Sequence, residues 1–374
     1  MLEYESKPIF KRSIMGVGLP GGRIFCPFVP PEGVLLEPLQ PWQRELVQLF
    51  DGVRTVRELG VLLATLGHTC SSGEVLSFCR ELDGKLLLED MRDEEGDDDP
   101  QEEDRYQRQR LFFGAWEARG LPQGREMQRR LEASRVILFG VGGGGCQVLQ
   151  NLTALGVGHL TVVEFDRVGP SNLNRQILYG EEDLGCSKIE VLRRELPRRN
   201  PRSSYTFREE RIISPEDFAR LLQGHDLGIL TADSPRESIF SWFNQGIYES
   251  HIPGLYTAGV TAASLGAGPL VIPGETPCYD CSLPPWRPDF SPPELRALNR
   301  EYRHGVILPH LAILGGLLAL EAVRFLTEFQ EPLTKGARLE LNLFTWESRR
   351  VPLQFRGGCP WCGGDKRDEE RGNI

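Results

Sequence analysis

An α/β domain around a mainly parallel sheet, preceded by a small winged-helix-like α+β unit, is the fold class that three observations predict. From about Arg105 onward, short β-branched apolar runs alternate with helical patterns, as in strands joined by crossover helices. One of those runs ends in a glycine cluster that opens a helix, the strand–turn–helix order of a phosphate-binding crossover. Ahead of them, residues 1–88 carry shorter strand candidates and several helix signals, and an abrupt run of acids sets them apart.

In the first module, GRIFCPFV and GVLLEPL read as short strands bounded by proline and glycine. PWQRELVQLFDG reads as a helix opened by Pro41 and closed by Gly52. TVRELGVLLATLG sets Thr55 three residues before Glu58, the spacing of a capping box. SSGEVLSFCRELDGKLLLED adds a further helix and a last strand. The order fits a winged-helix-like domain over 1–88; a packing or oligomerisation domain is the plainer alternative. From Glu89 to Asp104 the chain holds eleven acids and one Arg, and outside this run acids and bases balance, so the net charge of −10 is local. Such a like-charge run buries too little apolar surface to order itself, and residues 89–104 are expected to be a solvated linker. A docking tail for a basic partner is the other reading.

The second domain is expected over 105–374. RVILFGVGGGG, HLTVVEFD, HDLGILTAD, GLYTAGV and GAGPLVIP supply its strands, and CQVLQNLTALG and KIEVLRRELPRRN supply helices between them. LPHLAILGGLLALEAVRFL approaches the length of a membrane span but contains His310, Glu321 and Arg324, which favours a helix buried in protein. The start of the chain lacks the basic region and long apolar core of a secretory signal. Nine cysteines without such a signal point to a reducing cytoplasm, where paired cysteines more often hold metal than form disulfides. No membrane partner is expected, and no basic footprint for nucleic acid is present.

VILFGVGGGGCQVL places Gly140, Gly142 and Gly145 on GxGxxG, with Gly143 and Gly144 added, in a Rossmann-like turn. Glycines let the backbone approach a phosphate and leave helix N-terminal amides aimed at it. Glu164, nineteen residues after Gly145 at the next strand's end, is placed to accept from ribose hydroxyls. Up to here a nicotinamide dehydrogenase fits as well. SNLNRQ then delivers Arg175 and GCSK delivers Lys188, and two cations beside a helix N-terminus suit a triphosphate whose charge rises during displacement at phosphorus. Asp166, Asn172 and Gln176 belong to the same polar stretch and are counted with the ATP-binding residues. Asp233 in TADS follows another apolar strand, at the sheet edge where ligands of such folds lie, and is placed to hold Mg2+. No GxxxxGK[ST] loop is present.

Cys278 and Cys281 form one CxxC pair, Cys359 and Cys362 another. Four thiolates satisfy tetrahedral Zn2+ and leave no open position for substrate, so the metal is expected to be structural; two redox pairs are the alternative. No cysteine lies between Cys281 and Cys359, and Cys146 and Cys186 read as packing residues, so a thioester step is not expected. Together with the family resemblance that the motif order carries, the simplest chemistry implied is adenylation: an ionised carboxylate attacks the α-phosphorus of MgATP and expels pyrophosphate, with positioning and charge stabilisation as the catalysis.

The motif order GxGGxG, strand-end acid, SNLNRQ, GxxK, TADS and CYDC…CPWC resembles the ubiquitin-activating-enzyme-like adenylating superfamily, which includes the ThiF and MoeB proteins, over about Arg105 to Gly364. The resemblance implies that Arg175 and Lys188 contact ATP phosphates, Glu164 the ribose and Asp233 the magnesium. The superfamily commonly has Asp where this chain has Glu164. RYQRQ resembles the superfamily's RYxRQ, which implies that Arg108 reaches the neighbouring site of a homodimer. FDGVRTVRELGVLLATLG resembles the PqqD-like domains that recognise the leaders of ribosomally made peptides, which add as a strand at a sheet edge. The combination is similar to the branch that activates the precursor peptides of microcin C and pantocin. It implies a precursor peptide as partner; the alternatives are a ubiquitin-like sulfur carrier ending in Gly-Gly, or a non-catalytic leader-binding scaffold. The segment 283–305 is expected to close over the peptide, with Trp286, Arg303 and His304 as contacts, while His304 and His310 read as structural or substrate-contacting rather than catalytic.

Overall fold

The computed structural model describes residues 2–27, 29, 32–93, 100–115, 123–236, 238–283 and 305–363. The chain forms two compact units, Met1–Arg129 and Arg130–Ile374.

The first unit contains β1 (Pro8–Phe10), β2 (Val17–Leu19), β3 (Arg23–Cys26), β4 (Val34–Leu36), α1 (Pro41–Leu49), α2 (Val56–Thr65), α3 (Ser72–Gly84), β5 (Leu88–Asp90) and α4 (Pro100–Ala115). Strands β2, β3 and β4 make an antiparallel sheet in that order, and β1 pairs with β5. The capping box at Thr55 forms as its spacing requires, and the structure adds a second at Ser71. The Thr55 and Ser71 hydroxyls accept from the N–H groups of Glu58 and Glu74, whose carboxylates accept in return from the cap N–H groups. The apolar faces of the three helices meet over Leu46, Leu59, Leu63, Val75, Phe78 and Leu82, all buried. Part of the acidic stretch is structured. Glu89 and Asp90 belong to β5, and Asp90 is buried because its carboxylate takes the Lys7 N–H at 2.9 Å and the Arg92 guanidinium at 2.8 Å. Pro100–Asp104 opens α4, and residues 94–99 lie outside the described residues.

Helix α5 (Gln123–Ala133) leads to the second unit: β6 (Arg135–Phe139), α6 (Gly143–Leu155), β7 (His159–Glu164), α7 (Lys188–Arg199), β8 (Ser204–Glu209), α8 (Pro215–Leu222), β9 (Leu227–Leu230), α9 (Ile239–Ser250), β10 (Gly254–Val260), β11 (Ser264–Val271), α10 (Leu308–Thr327), β12 (Ala337–Asn342) and β13 (Ser348–Pro352). The sheet order is β13-β12-β11-β10-β9-β6-β7-β8, parallel from β10 to β8 and antiparallel from β10 to β13. The sheet is thus the expected mainly parallel one, with an antiparallel extension. After β6 the chain first adds β7 on one side and only later β9 on the other. That reversal opens a crevice at the carboxyl end of β6, where ligands of such sheets bind.

An aromatic column runs along one face of the sheet. Phe139 of β6 packs on Phe218 at 4.8 Å and on Phe243 at 5.7 Å, Phe243 on Tyr256 at 4.9 Å, and Tyr256 stacks on Tyr279 at 4.9 Å. It links the strand before the glycine loop to the segment carrying Cys278 and Cys281. Helix α10 is long and apolar enough to cross a membrane by composition, yet it packs on α6, β10 and β11. A Cβ on Gly315 would lie 2.2 Å from the Gln147 Cβ, so only glycine allows α10 and α6 this approach. Glu321 is buried on the same helix, accepts from the Thr334 N–H and hydroxyl at 2.7 Å each, and pairs with Arg324. Glu321→Ala would leave those donors without an acceptor, and is expected to cost about 3 kcal/mol of stability. Urea denaturation of this variant beside Glu321→Gln, which keeps an acceptor for Thr334 and loses less, checks the assignment.

Candidate nucleotide site

The site is built where β6 ends. Gly140 has φ of 87°, and a Cβ there would lie 2.7 Å from the Ala232 backbone nitrogen, so the turn leaves β6 pressed against the segment after β9. A Cβ on Gly145 would fall 2.2 Å from the Gly140 carbonyl oxygen and 2.7 Å from the Thr231 hydroxyl, which donates to that carbonyl at 2.6 Å. Gly142 caps α6 with no side-chain hydrogen bond, and a Cβ there meets nothing within 4 Å. The first amides of α6 therefore open toward free space, the arrangement that receives an anion. Gly143 is confined instead: its Cβ would strike Leu311 at 2.2 Å and lie 3.4 Å from the Arg175 side chain. Arg175 is thereby set beside the helix N-terminus.

The stretch from Asp166 to Lys188 folds back on itself. Val168 and Gly185 exchange hydrogen bonds with this hairpin's facing backbone, and the Lys188 N–H donates to the Asp166 carbonyl at 3.0 Å. Lys188 opens α7 with its side chain almost fully buried, and its ammonium lies 3.1 Å from Asp166 and 3.5 Å from Glu164. Within the loop, Asn172 accepts the Gly169 N–H on its side chain, and its carbonyl accepts the N–H groups of Arg175 and Gln176. Asn172 thus shapes the turn that presents Arg175. The Arg175 guanidinium bonds the Ser171 carbonyl and Asn174, with no carboxylate partner among the described residues. Gln176 is buried, and its side-chain carbonyl has no hydrogen-bond partner among the described residues.

Glu164 does more than close the strand. One oxygen accepts the Val141 N–H of the glycine loop at 2.8 Å, and the other accepts the N–H groups of Phe165 and Asp166 at 2.8 and 3.0 Å. Its neighbour Asp166 has a side chain 54% exposed, so the more accessible acid of the pair lies two residues on. Asp233 is exposed at the carboxyl end of β9, next to Ala232, which touches Gly140. An apolar cleft of about 40 Å3 adjoins Glu164 and Gly140, walled by Phe139, Val163, Phe165, Ile212 and Phe218, apolar chemistry that suits the edge of a base but not the enclosure of a whole one. Arg108 lies exposed on α4 in the first unit, outside this group. Trp286, Arg303 and His304 lie outside the described residues.

Sequence reasoning missed Tyr179, whose hydroxyl donates to the Val141 carbonyl at 3.1 Å and holds the glycine loop from the other side. It also missed Thr231 and the walls of the apolar cleft. The cleft walls signal only apolar character, which core packing produces equally well, while Thr231 is the first residue of the TADS motif. Cys146 is buried, and burial pushes its thiol up to about 12, in keeping with a packing role.

The sulfurs of Cys278, Cys281, Cys359 and Cys362 lie within 4.8 Å of one another, with Cys278 to Cys359 at 3.5 Å and Cys281 to Cys362 at 3.3 Å. Four sulfurs around a tetrahedral Zn2+ would be about 3.8 Å apart, so the donor set and spacing suit that ion. The Arg356 N–H donates to Cys281 at 3.4 Å, an outer-shell bond suited to a thiolate. Hydrogen bonding among the four thiols holds the Cys362 thiol below its ordinary value, while burial pushes the Cys281 thiol up.

A family model described as the ThiF family matches residues 106–361. The molybdopterin-synthase adenylyltransferase of Salmonella typhimurium is 30% identical over 239 residues, 64% of this chain and 90% of that protein. The sulfur carrier protein adenylyltransferase of Thermus thermophilus is 32% identical over 292 residues, 72% of this chain and 94% of that protein. Among solved structures, Escherichia coli MccB with ATP shares the fold at a TM-score of 0.77 and 21% identity, covering 95% of this chain and 99% of that one.

The glycine geometry separates two variants. Gly145→Ala forces backbone apart and is expected to lower thermal stability and abolish triphosphate binding together. Gly142→Ala meets no protein atom, so it is expected to melt like the parent while binding a magnesium nucleoside triphosphate about tenfold more weakly. Thermal denaturation and calorimetric titration of both variants check this.

Proposed function

We infer the substrate from one premise: the chain belongs to the ThiF family and is an ATP-dependent adenylyltransferase. It activates a carboxyl group of a ribosomally made precursor peptide. The observation that carries this reading is coverage. The carrier-protein adenylyltransferases match 64% and 72% of the chain, whereas MccB matches 95% in fold, and it has also been crystallised, as the microcin C7 biosynthetic enzyme, with N-formylated MccA. The first unit, a winged-helix-like domain with an exposed three-stranded sheet, supplies the part that recognises a leader peptide, by strand addition at a sheet edge.

The chemistry follows from the groups in place. MgATP lies with its base beside the apolar cleft, its ribose toward Asp166, with Glu164 anchoring the loop behind it, and its phosphates at the α6 N-terminus between Arg175 and Lys188. Asn172 and Gln176 shape the Arg175 turn, and Asp233 holds the magnesium through oxygen. A peptide carboxylate, already ionised at neutral pH, attacks the α-phosphorus. A P–O bond to the bridging oxygen breaks, pyrophosphate leaves with the electron pair, and an acyl-adenylate remains for capture by a nucleophile. No general base is needed. Arg175, Lys188 and the helix amides stabilise the charge that accumulates on the phosphates. Arg108 completes the neighbouring site of a homodimer, Cys278, Cys281, Cys359 and Cys362 hold one structural Zn2+, and the enzyme works in the cytoplasm.

ATP–pyrophosphate exchange tests the substrate. Exchange that requires a precursor peptide and weakens when its leader is removed is expected. Exchange driven by a ubiquitin-like carrier ending in Gly-Gly, and indifferent to any leader, would assign the chain to sulfur-carrier activation instead. Arg175→Ala is expected to fold normally and lose exchange by about 10²–10³; near-parental exchange would remove Arg175 from the phosphate site. Elemental analysis is expected to find about one zinc per chain, with release on acidification as protons compete for the thiolates.

A further inference from the structure

A second cavity of about 290 Å3 lies in the second unit, away from the glycine loop. Arg135 and His159 open β6 and β7 at the strand ends opposite that loop, and Thr161, Thr206, Arg208 and His225 complete most of its wall. On β7, His159 and Thr161 alternate with the buried Leu160 and Val162. On β8, Thr206 and Arg208 alternate with Tyr205 and Phe207. A sheet of this class normally covers both faces with helices and apolar side chains, so polar residues at these positions are not what folding requires.

The polar groups are organised. His225 Nδ1 donates to the Leu222 carbonyl at 3.2 Å, leaving Nε2 to accept from the Thr161 hydroxyl at 2.8 Å; this tautomer is assigned from the bonding pattern. His159 faces the Ser204 hydroxyl at 2.7 Å and those of Thr161 and Thr206 at 3.2 Å each. Burial lowers both imidazoles below their ordinary value, and Arg135 adds to the effect. Among the described residues, no carboxylate lines the cavity. Arg220, also at its wall, is answered by Glu210 at 3.1 Å and Asp217 at 3.3 Å. Arg135 bonds only the Gly224 carbonyl through its side chain, and neither it nor Arg208 has an acidic partner among the described residues. Two uncompensated guanidiniums, two imidazoles and two hydroxyls thus converge on space larger than one water.

We propose that this cavity binds a phosphate group, at a site separate from the nucleotide site. Guanidiniums pair with phosphate oxygens through parallel N–H bonds, and the Thr206 hydroxyl, which faces His159, can turn to donate to a remaining oxygen. The phosphate comes from an inorganic ion or from a nucleotide, and the test has an arm for each.

His159 and His225 report locally, so NMR of histidine-labelled full-length protein distinguishes this cavity from the ATP site. The charged groups facing them are Arg135 from β6, Arg208 from β8, Arg220 of α8 with Glu210 and Asp217, and Asp226, which accepts the Arg135 N–H. Titration with orthophosphate or pyrophosphate is expected to shift both imidazoles saturably and move their titration midpoints upward, because a bound anion favours the protonated ring. Arg208→Glu is expected to weaken that response at least tenfold while ATP–pyrophosphate exchange persists, and Thr206→Val to weaken it less. If AMP moves the same resonances at lower concentration than the free ions, the phosphate is a nucleotide's. No saturable shift up to about 10 mM of any of the three, or an undiminished response in Arg208→Glu, overturns the proposal.

Discussion

A buried ammonium facing a buried carboxylate organises the nucleotide site. Lys188 and Glu164 are both almost fully withdrawn from water, 3.5 Å apart, and neither would tolerate that position alone. Glu164 spends its remaining lone pairs on three backbone N–H groups, one of them in the glycine loop. The pair therefore ties the end of β7, the loop after β6 and the start of α7 into one unit. Since Asp166 shares the ammonium at 3.1 Å, the cation is held ready at the edge of the space above α6. In the proposed reaction, a triphosphate entering there would meet a charge that has already lost its water, so little reorganisation would be required as phosphate charge grows.

The same economy appears in the loop carrying Arg175. Asn172 uses its side chain and its carbonyl to fix the turn, and the arginine stem runs along Gly143, where any larger residue would also strike Leu311. The guanidinium bonds only neutral groups of its own loop. Lys188 is neutralised in the resting site and Arg175 is not, so the positive potential of the crevice comes mainly from Arg175 and the helix amides. The aromatic column from Phe139 to Tyr279 carries rigidity from this crevice to the four-cysteine cluster. That cluster joins residues eighty-one positions apart and anchors the last described segment against the sheet domain.

Much of this was legible beforehand because certain chemistry permits few residues. Only glycine fits Gly140, Gly143 and Gly145, so the loop announces itself as a run of glycines. Four cysteines in two CxxC pairs have few uses in one chain, and here their sulfurs converge. The capping box at Thr55 satisfies local donors with local acceptors, so spacing alone reveals it. The acidic stretch was less legible. One end was drawn into β5, where Asp90 found Lys7 and Arg92, partners that a count of charges cannot show, and the other end opens α4.

By itself the sequence determined the strand–glycine–helix site, the cations Arg175 and Lys188, the cysteine cluster and the alternation that makes a mainly parallel sheet, since each depends on residue type at short spacing. Only the tertiary structure decided which acid anchors the glycine loop and which remains accessible, that Tyr179 braces the loop, and that β7 and β8 expose a polar floor beside Arg135 and Arg208. Those outcomes depend on which distant groups come within about 3 Å of each other. A linear pattern of polar and apolar residues carries no such distance.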